Sequence, residues 1–205
     1  MADFPIALAD GLGDQLPSIL DVEGKIPRAL NELGGFDGHD VALVDAGAGL
    51  RHRQIEAFGA RVVDVPAVGP SSRSVAPASV DAVVACWSGF RGVVTAEMSE
   101  VDRMLRPGGR LLVVHDYGRD DVSRLRGDLP EYGLWSRRDG PFLRGGFRVR
   151  VLHCWWTFNA VDDARAFLAE AFGGPGDALG AELKRPRLSW NVAIYHRDRP
   201  AAASG

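Results

Sequence analysis

Short apolar runs bounded by glycine and proline alternate along this chain with stretches whose apolar residues recur at helical spacing. Val41-Ala-Leu-Val44 is a continuous apolar run that ends in Asp45-Ala-Gly-Ala-Gly49, the pattern of a buried strand running into a glycine turn. Ala60–Val63, Asp81–Cys86 and Arg110–Val114 repeat that pattern and predict three further strands. Between them, Arg53–Phe58 and Asp120–Leu125 predict short helices. Glu97–Leu105 predicts a longer one, with Met98, Val101, Met104 and Leu105 at helical spacing and a stop at Arg106-Pro-Gly-Gly109. An earlier helical stretch, Ile26–Leu33, stops at Gly34-Gly35, and the turn-rich residues 67–79 predict a loop.

The last third changes character. Phe147–Phe158 is a long β-rich run, Val161–Phe172 predicts a helix ended by Gly173-Gly174, and Trp190–Tyr195 predicts a final strand. Strongly apolar strands alternating with helices imply a three-layer α/β domain, Rossmann-like, whose mostly parallel sheet carries one antiparallel strand at its edge. The expected organisation is an acidic helical segment over 1–37, the α/β domain over 38–198 and a flexible tail over 199–205.

Composition narrows the class further. The 205 residues, 46% hydrophobic and 25% charged, predict one globular domain and exclude wholesale disorder or a disulfide scaffold. No apolar run reaches the ~20 residues of a membrane-spanning helix. The amino terminus carries acids where a secretory signal would carry bases, so a cytoplasmic protein is expected. Cys86 and Cys154, far apart and each within an apolar run, read as buried reduced thiols, and no metal site is expected. The net charge of −3 hides an excess of arginine over 103–150, with eleven Arg against six Asp or Glu. No aromatic-interleaved basic stripe accompanies it, so nucleic acid is not an expected partner; a homo-oligomer is left open.

The chemistry concentrates at Asp45-Ala-Gly-Ala-Gly49. Closely spaced glycines at the carboxyl end of a strand let a ligand approach the backbone where side chains would block it. A dinucleotide fingerprint needs a third glycine where His52 stands, and no Walker loop occurs, so a nicotinamide, flavin or nucleotide-triphosphate site is not expected.

Four segments in order resemble the class I S-adenosylmethionine-dependent methyltransferase family over roughly residues 38–195. Val44-Asp-Ala-Gly-Ala-Gly49 is similar to its cofactor loop, and Gly59-Ala-Arg-Val-Val-Asp64 to its second strand with the ribose-binding acid. Ser79–Trp87 is similar to the strand that lines the adenine and methyl pocket. Glu100–Val114 carries the helix, the Arg-Pro-Gly-Gly turn and the following strand. The resemblance implies S-adenosylmethionine as cofactor, bound by Asp45, Gly47, Gly49, Asp64, Cys86 and Trp87. It also implies methyl transfer to an unidentified small-molecule or macromolecular acceptor. His115 and Tyr117, directly after the Arg110–Val114 strand, are the candidate catalytic pair, as groups able to orient or deprotonate a nucleophile.

The chain departs from the family pattern at several points. Arg51 stands at the loop's third glycine, and Asp64 falls two residues before the usual place of the acid. Only about a dozen turn-forming residues replace a helix and a strand after Pro66. These departures carry the alternative, a non-catalytic methyltransferase-like binding or assembly module. Arg51 separates the two readings. Turned outward or paired with the cofactor's carboxylate, it leaves binding intact; turned into the pocket and paired with an acid such as Asp45, it blocks it.

Overall fold

The computed structural model describes residues 11–200 apart from 48, 67–73 and 128, together with residues 6 and 8. Its elements run α1 (Leu12–Ile19), α2 (Lys25–Gly34), β1 (Asp40–Val44), α3 (Leu50–Glu56), β2 (Arg61–Val65), β3 (Val80–Cys86), α4 (Thr95–Met104) and β4 (Leu105–Asp116). They continue with α5 (Asp121–Leu125), α6 (Pro130–Trp135), α7 (Pro141–Arg144), β5 (Arg148–Thr157), α8 (Val161–Phe172), α9 (Gly174–Glu182) and β6 (Arg187–Asp198). The sheet order is β2-β1-β3-β4-β6-β5. β1 to β4 pair in parallel, while β6 is antiparallel to both β4 and β5. The expected antiparallel strand is thus inserted one place inside the edge, and β5 forms the edge itself.

Alternation along the strands sets the layers. Val41 and Leu43 join one core cluster with Leu16, Ile26, Leu30, Ile55 and Leu168, under α1, α2, α3 and α8. Ala42 and Val44 join the other with Met98, Val101, Trp135 and Phe142, under α4, α6 and α7. The amino-terminal helices belong to the first cluster, and Leu20 bridges to Trp156 of β5, so residues 11–37 share the domain's core. At the carboxyl end, Arg199 donates its N–H to the Gly109 carbonyl, 2.7 Å, and residues 201–205 of the expected tail lie outside the described ones. No helix among the described residues is long and apolar enough to cross a membrane.

Arg106 of the Arg-Pro-Gly-Gly segment ties the amino ends of the strands together. It meets Asp81 at 2.7 Å and Asp40 at 2.9 Å, while Arg61 reaches Asp40 at 2.6 Å. The two guanidinium groups hold the Asp40 carboxyl down at about 2. The segment itself continues β4 rather than standing apart as a turn. Helices α1, α6, α7 and α9 were not expected from the pattern. In α6, α7 and α9 the proline sits in the first helical turn, where its missing N–H costs nothing and its fixed φ starts the helix.

Candidate cofactor site and the adjoining cleft

The carboxyl ends of β1, β3 and β4 meet at one edge of the sheet. Asp45, at φ 51°, donates its N–H to the Val65 carbonyl, 2.6 Å, and its Oδ2 accepts the Ser88 hydroxyl, 2.9 Å. The end of β1 is thereby tied to β2 and to the turn after β3. Gly47 and Gly49 both adopt left-handed φ values, 58° and 82°, and Gly49 caps α3. A Cβ at Gly49 would come within 3.3 Å of Arg53 Nη1. The loop therefore presents bare backbone beside a helix N-terminus, the arrangement a cofactor's polar tail requires.

The other residues expected at the cofactor divide. Asp64 is exposed on β2, its Oδ1 2.8 Å from His52 Nδ1; His52 also approaches Glu56 at 3.3 Å, and the two carboxylates raise its pKa. Asp64 Oδ2 has no partner among the described residues, which leaves it open to a ribose hydroxyl. Trp87 is half-buried at φ 50° beside the loop. Cys86 is fully buried among aliphatic side chains and presents no surface to a ligand. Cys154, also buried, is separated from it by β4 and β6 in the sheet, and neither cysteine is in a disulfide.

Arg51 turns inward. It is 2% exposed, its Nη1 donates to Gln54 Oε1 at 2.7 Å, and its guanidinium lies 5.4 Å over the Trp87 ring. Its charge also acts on Asp21, whose carboxylate accepts the Lys25 and Ile26 N–H groups at 2.9 and 2.7 Å and whose pKa burial nevertheless raises. One acid in its field is thus on the amino-terminal segment.

The sharpest correction concerns His115. Along β4 it faces the α6–α7 side, 3% exposed, with its Nε2 donating to the Phe90 carbonyl at 3.1 Å and its ring 4.6 Å from that of Trp135. Burial pushes its pKa down to about 4. A neutral imidazole sealed under Trp135 and Phe142 is a packing residue with no route to a nucleophile. Tyr117, by contrast, is half-buried and lines a cleft.

Asp116, between them, points to the opposite face from His115 and is the residue that sequence reasoning missed. The following helix is capped by Asp120, which accepts the Ser123 N–H at 2.7 Å, so Asp116 serves another purpose. The Asp116 carboxylate is 4% exposed and gathers four donors. Trp190 Nε1 reaches it at 3.0 Å, Trp87 Nε1 at 3.2 Å and the Tyr132 hydroxyl at 3.4 Å, and Arg126 pairs with it. The two indoles stack with centroids 5.6 Å apart. Burial still raises its pKa. This knot joins the Trp87 side of the cofactor loop to a cleft of about 520 Å³ whose lining includes Tyr117, Arg119, Arg124, Leu129 and Tyr132. An aspartate ending a strand with tryptophans on neighbouring strands was the only signal of it in the sequence.

Sheet order, layer arrangement and glycine loop together define the class I methyltransferase fold, and solved structures agree. A proposed type II methyltransferase from Anaeromyxobacter dehalogenans superposes with TM-score 0.54 at 17% identity, covering 86% of this chain and 97% of that one. A proposed methyltransferase from Bacillus halodurans C-125 gives 0.52 at 13% identity, covering 87% and 100%. A third, assigned to an antibiotic biosynthesis pathway in Anabaena variabilis ATCC 29413, gives 0.50 at 15% identity, covering 83% and 96%. No protein-family model matches the chain, and no curated protein matches it by sequence.

Proposed function

We propose that this protein binds S-adenosylmethionine at the carboxyl ends of β1, β2 and β3 and transfers its methyl group to an acceptor held in the neighbouring cleft. The observation that carries this reading is the left-handed pair Gly47 and Gly49, which bares the backbone beside Trp87 at the start of α3. Asp64 Oδ2 would meet the cofactor's ribose, and Asp45 stands at the head of the glycine loop. Trp87 borders the site, its ring stacked on Trp190 and covered by the Arg51 guanidinium. When bound, the cofactor contributes an electrophilic methyl on a sulfonium. The chain's own residues hold the acceptor in line and exclude water, which is most of what methyl transfer asks of a protein. Calorimetric titration with S-adenosylmethionine and with its demethylated product tests the proposal. Binding should be measurable in the natural chain and lost in Gly47→Val, whose β-branched side chain obstructs the loop and resists a φ of 58°. Equal affinity in both proteins places the ligand elsewhere.

The buried Arg51 carries a second reading, a methyltransferase fold that no longer catalyses. A guanidinium 4 Å from a sulfonium opposes it by about 4 kcal/mol at an effective dielectric of ~20. Weak cofactor binding is therefore expected in the natural chain, and absence of binding even in Arg51→Gly favours the module over the enzyme.

A further inference from the structure

The acceptor cleft carries information about what it takes. Its charged lining residues are two acids and two arginines, but the acids are turned into the protein. Asp120 is 6% exposed and accepts the Ser123 N–H and hydroxyl and the Asn191 N–H, at 2.7, 2.9 and 3.0 Å. Asp121 accepts the Ser189 N–H and hydroxyl at 2.9 and 2.7 Å and pairs with Arg124. Arg119 is different. It is exposed at the cleft, has no carboxylate partner among the described residues, and lies with its guanidinium 5.9 Å over the Tyr117 ring.

Its placement is built. Arg119 holds φ 61°, a conformation unfavourable for any residue with a Cβ, and follows Gly118 at φ 86°. A Cβ on Gly118 would come within 2.9 Å of Tyr132, so the loop is pressed onto the cleft wall. Asn191 of β6 clamps both residues, its Nδ2 donating to the Gly118 and Arg119 carbonyls at 3.2 and 3.3 Å, while Tyr117 N–H donates to the Asn191 carbonyl at 2.9 Å. A strained, clamped loop that exposes a cation with no carboxylate partner among the described residues, beside two tyrosines and Leu129, is a preorganised anion contact next to an apolar wall.

We infer that the cleft binds a small aromatic acid, its carboxylate on Arg119 and its ring against Tyr117, Leu129 and Tyr132. As the identity of the methyl acceptor this rests on the proposed function; as a binding site it stands alone. The experiment is calorimetric titration of the full chain, without cofactor, with benzoate, 4-hydroxybenzoate and indole-3-acetate, each beside its neutral primary amide. Saturable binding of at least one acid at about millimolar concentrations or below, roughly tenfold tighter than its amide, is expected. Arg119→Gly, which relaxes the loop and so stays folded, should abolish that preference. Arg119→Lys should keep part of it. No saturable binding of any acid, equal binding of acid and amide, or a preference that survives in Arg119→Gly overturns the inference. Loss of S-adenosylmethionine binding in Gly47→Val is a separate readout, so failure of the cofactor reading and failure of this one are told apart.

Discussion

Of the loops that leave the carboxyl edge of the sheet, those after β1 and β4 each carry an arginine near left-handed backbone. After β1, glycines take the left-handed positions and Arg51 is drawn inward over Trp87. After β4, Arg119 itself takes one and stays at the surface over Tyr117. The same side chain thus lies buried at one loop and exposed at the other. The difference lies in what surrounds each loop. Arg51 begins a helix roofed by the amino-terminal segment, with Asp21 to answer its charge. Arg119 is fixed by an Asn191 clamp that holds the backbone and leaves the guanidinium in solvent. Local sequence puts an arginine in each loop; the neighbouring elements decide its direction.

The largest effect should come from cutting the knot between the two sites. Asp116→Ala leaves the Arg126 charge and two indole N–H groups without their acceptor, and should cost about 3–5 kcal/mol of unfolding free energy in urea denaturation. A loss below about 1 kcal/mol would mean that the four donors are satisfied by water and that the sites are not joined through this carboxylate.

His115, on the other face, should make stability depend on pH. The unfolded chain protonates this imidazole near 6.5 and the folded one only at about 4, so the unfolded state takes up the proton first. Its contribution is complete above pH 6.5 and falls away toward 4, a loss approaching about 3 kcal/mol. The raised carboxyls of Asp21, Asp116 and Asp120 act in the opposite direction. The measurement is therefore the difference between the natural chain and His115→Phe in urea melts at neutral and acid pH. An unchanged pH slope in the variant refutes the assignment.

Arg51→Gly sharpens the comparison from the cofactor side. Removing the occluding cation should tighten S-adenosylmethionine binding by about tenfold, or about 1.4 kcal/mol. Weaker binding in the variant would make Arg51 a ligand of the cofactor instead of its obstacle. The smallest effect belongs to Arg119→Gly. Relief of a left-handed side chain gains roughly 1–2 kcal/mol, and the freer unfolded chain returns about 0.5–1 of it. The net should be a stabilisation of about 0.5–1 kcal/mol in the same urea assay, and clear destabilisation would show that the Arg119 side chain holds the loop.

Much of the fold was legible because its strands are buried on both faces and its motifs are contiguous. Val41–Val44 and Asp81–Cys86 read directly as continuous apolar runs, and Val161–Phe172 appeared with its observed bounds, while the Arg-Pro-Gly-Gly segment, expected as a turn, continues β4. Helices α6, α7 and α9 were hidden by prolines that look like breakers and act as starts, and α1 by Pro17 inside it. In the site, the glycine loop was legible because a left-handed backbone demands particular residues at fixed spacing.

By itself the sequence determined the α/β class, the runs that become the parallel strands and the loop that offers bare backbone, since each follows from periodicity and backbone sterics within a few residues. Only the tertiary structure decided that His115 is core and Asp116 the centre of a polar knot. Adjacent strand residues point to opposite faces, and which face is sealed depends on α6 and α7 arriving from elsewhere in the chain. It also decided the fates of Arg51 and Arg119. A long flexible side chain goes where charge and space receive it, and Asp21, Trp87 and Asn191 reach these arginines only through folding.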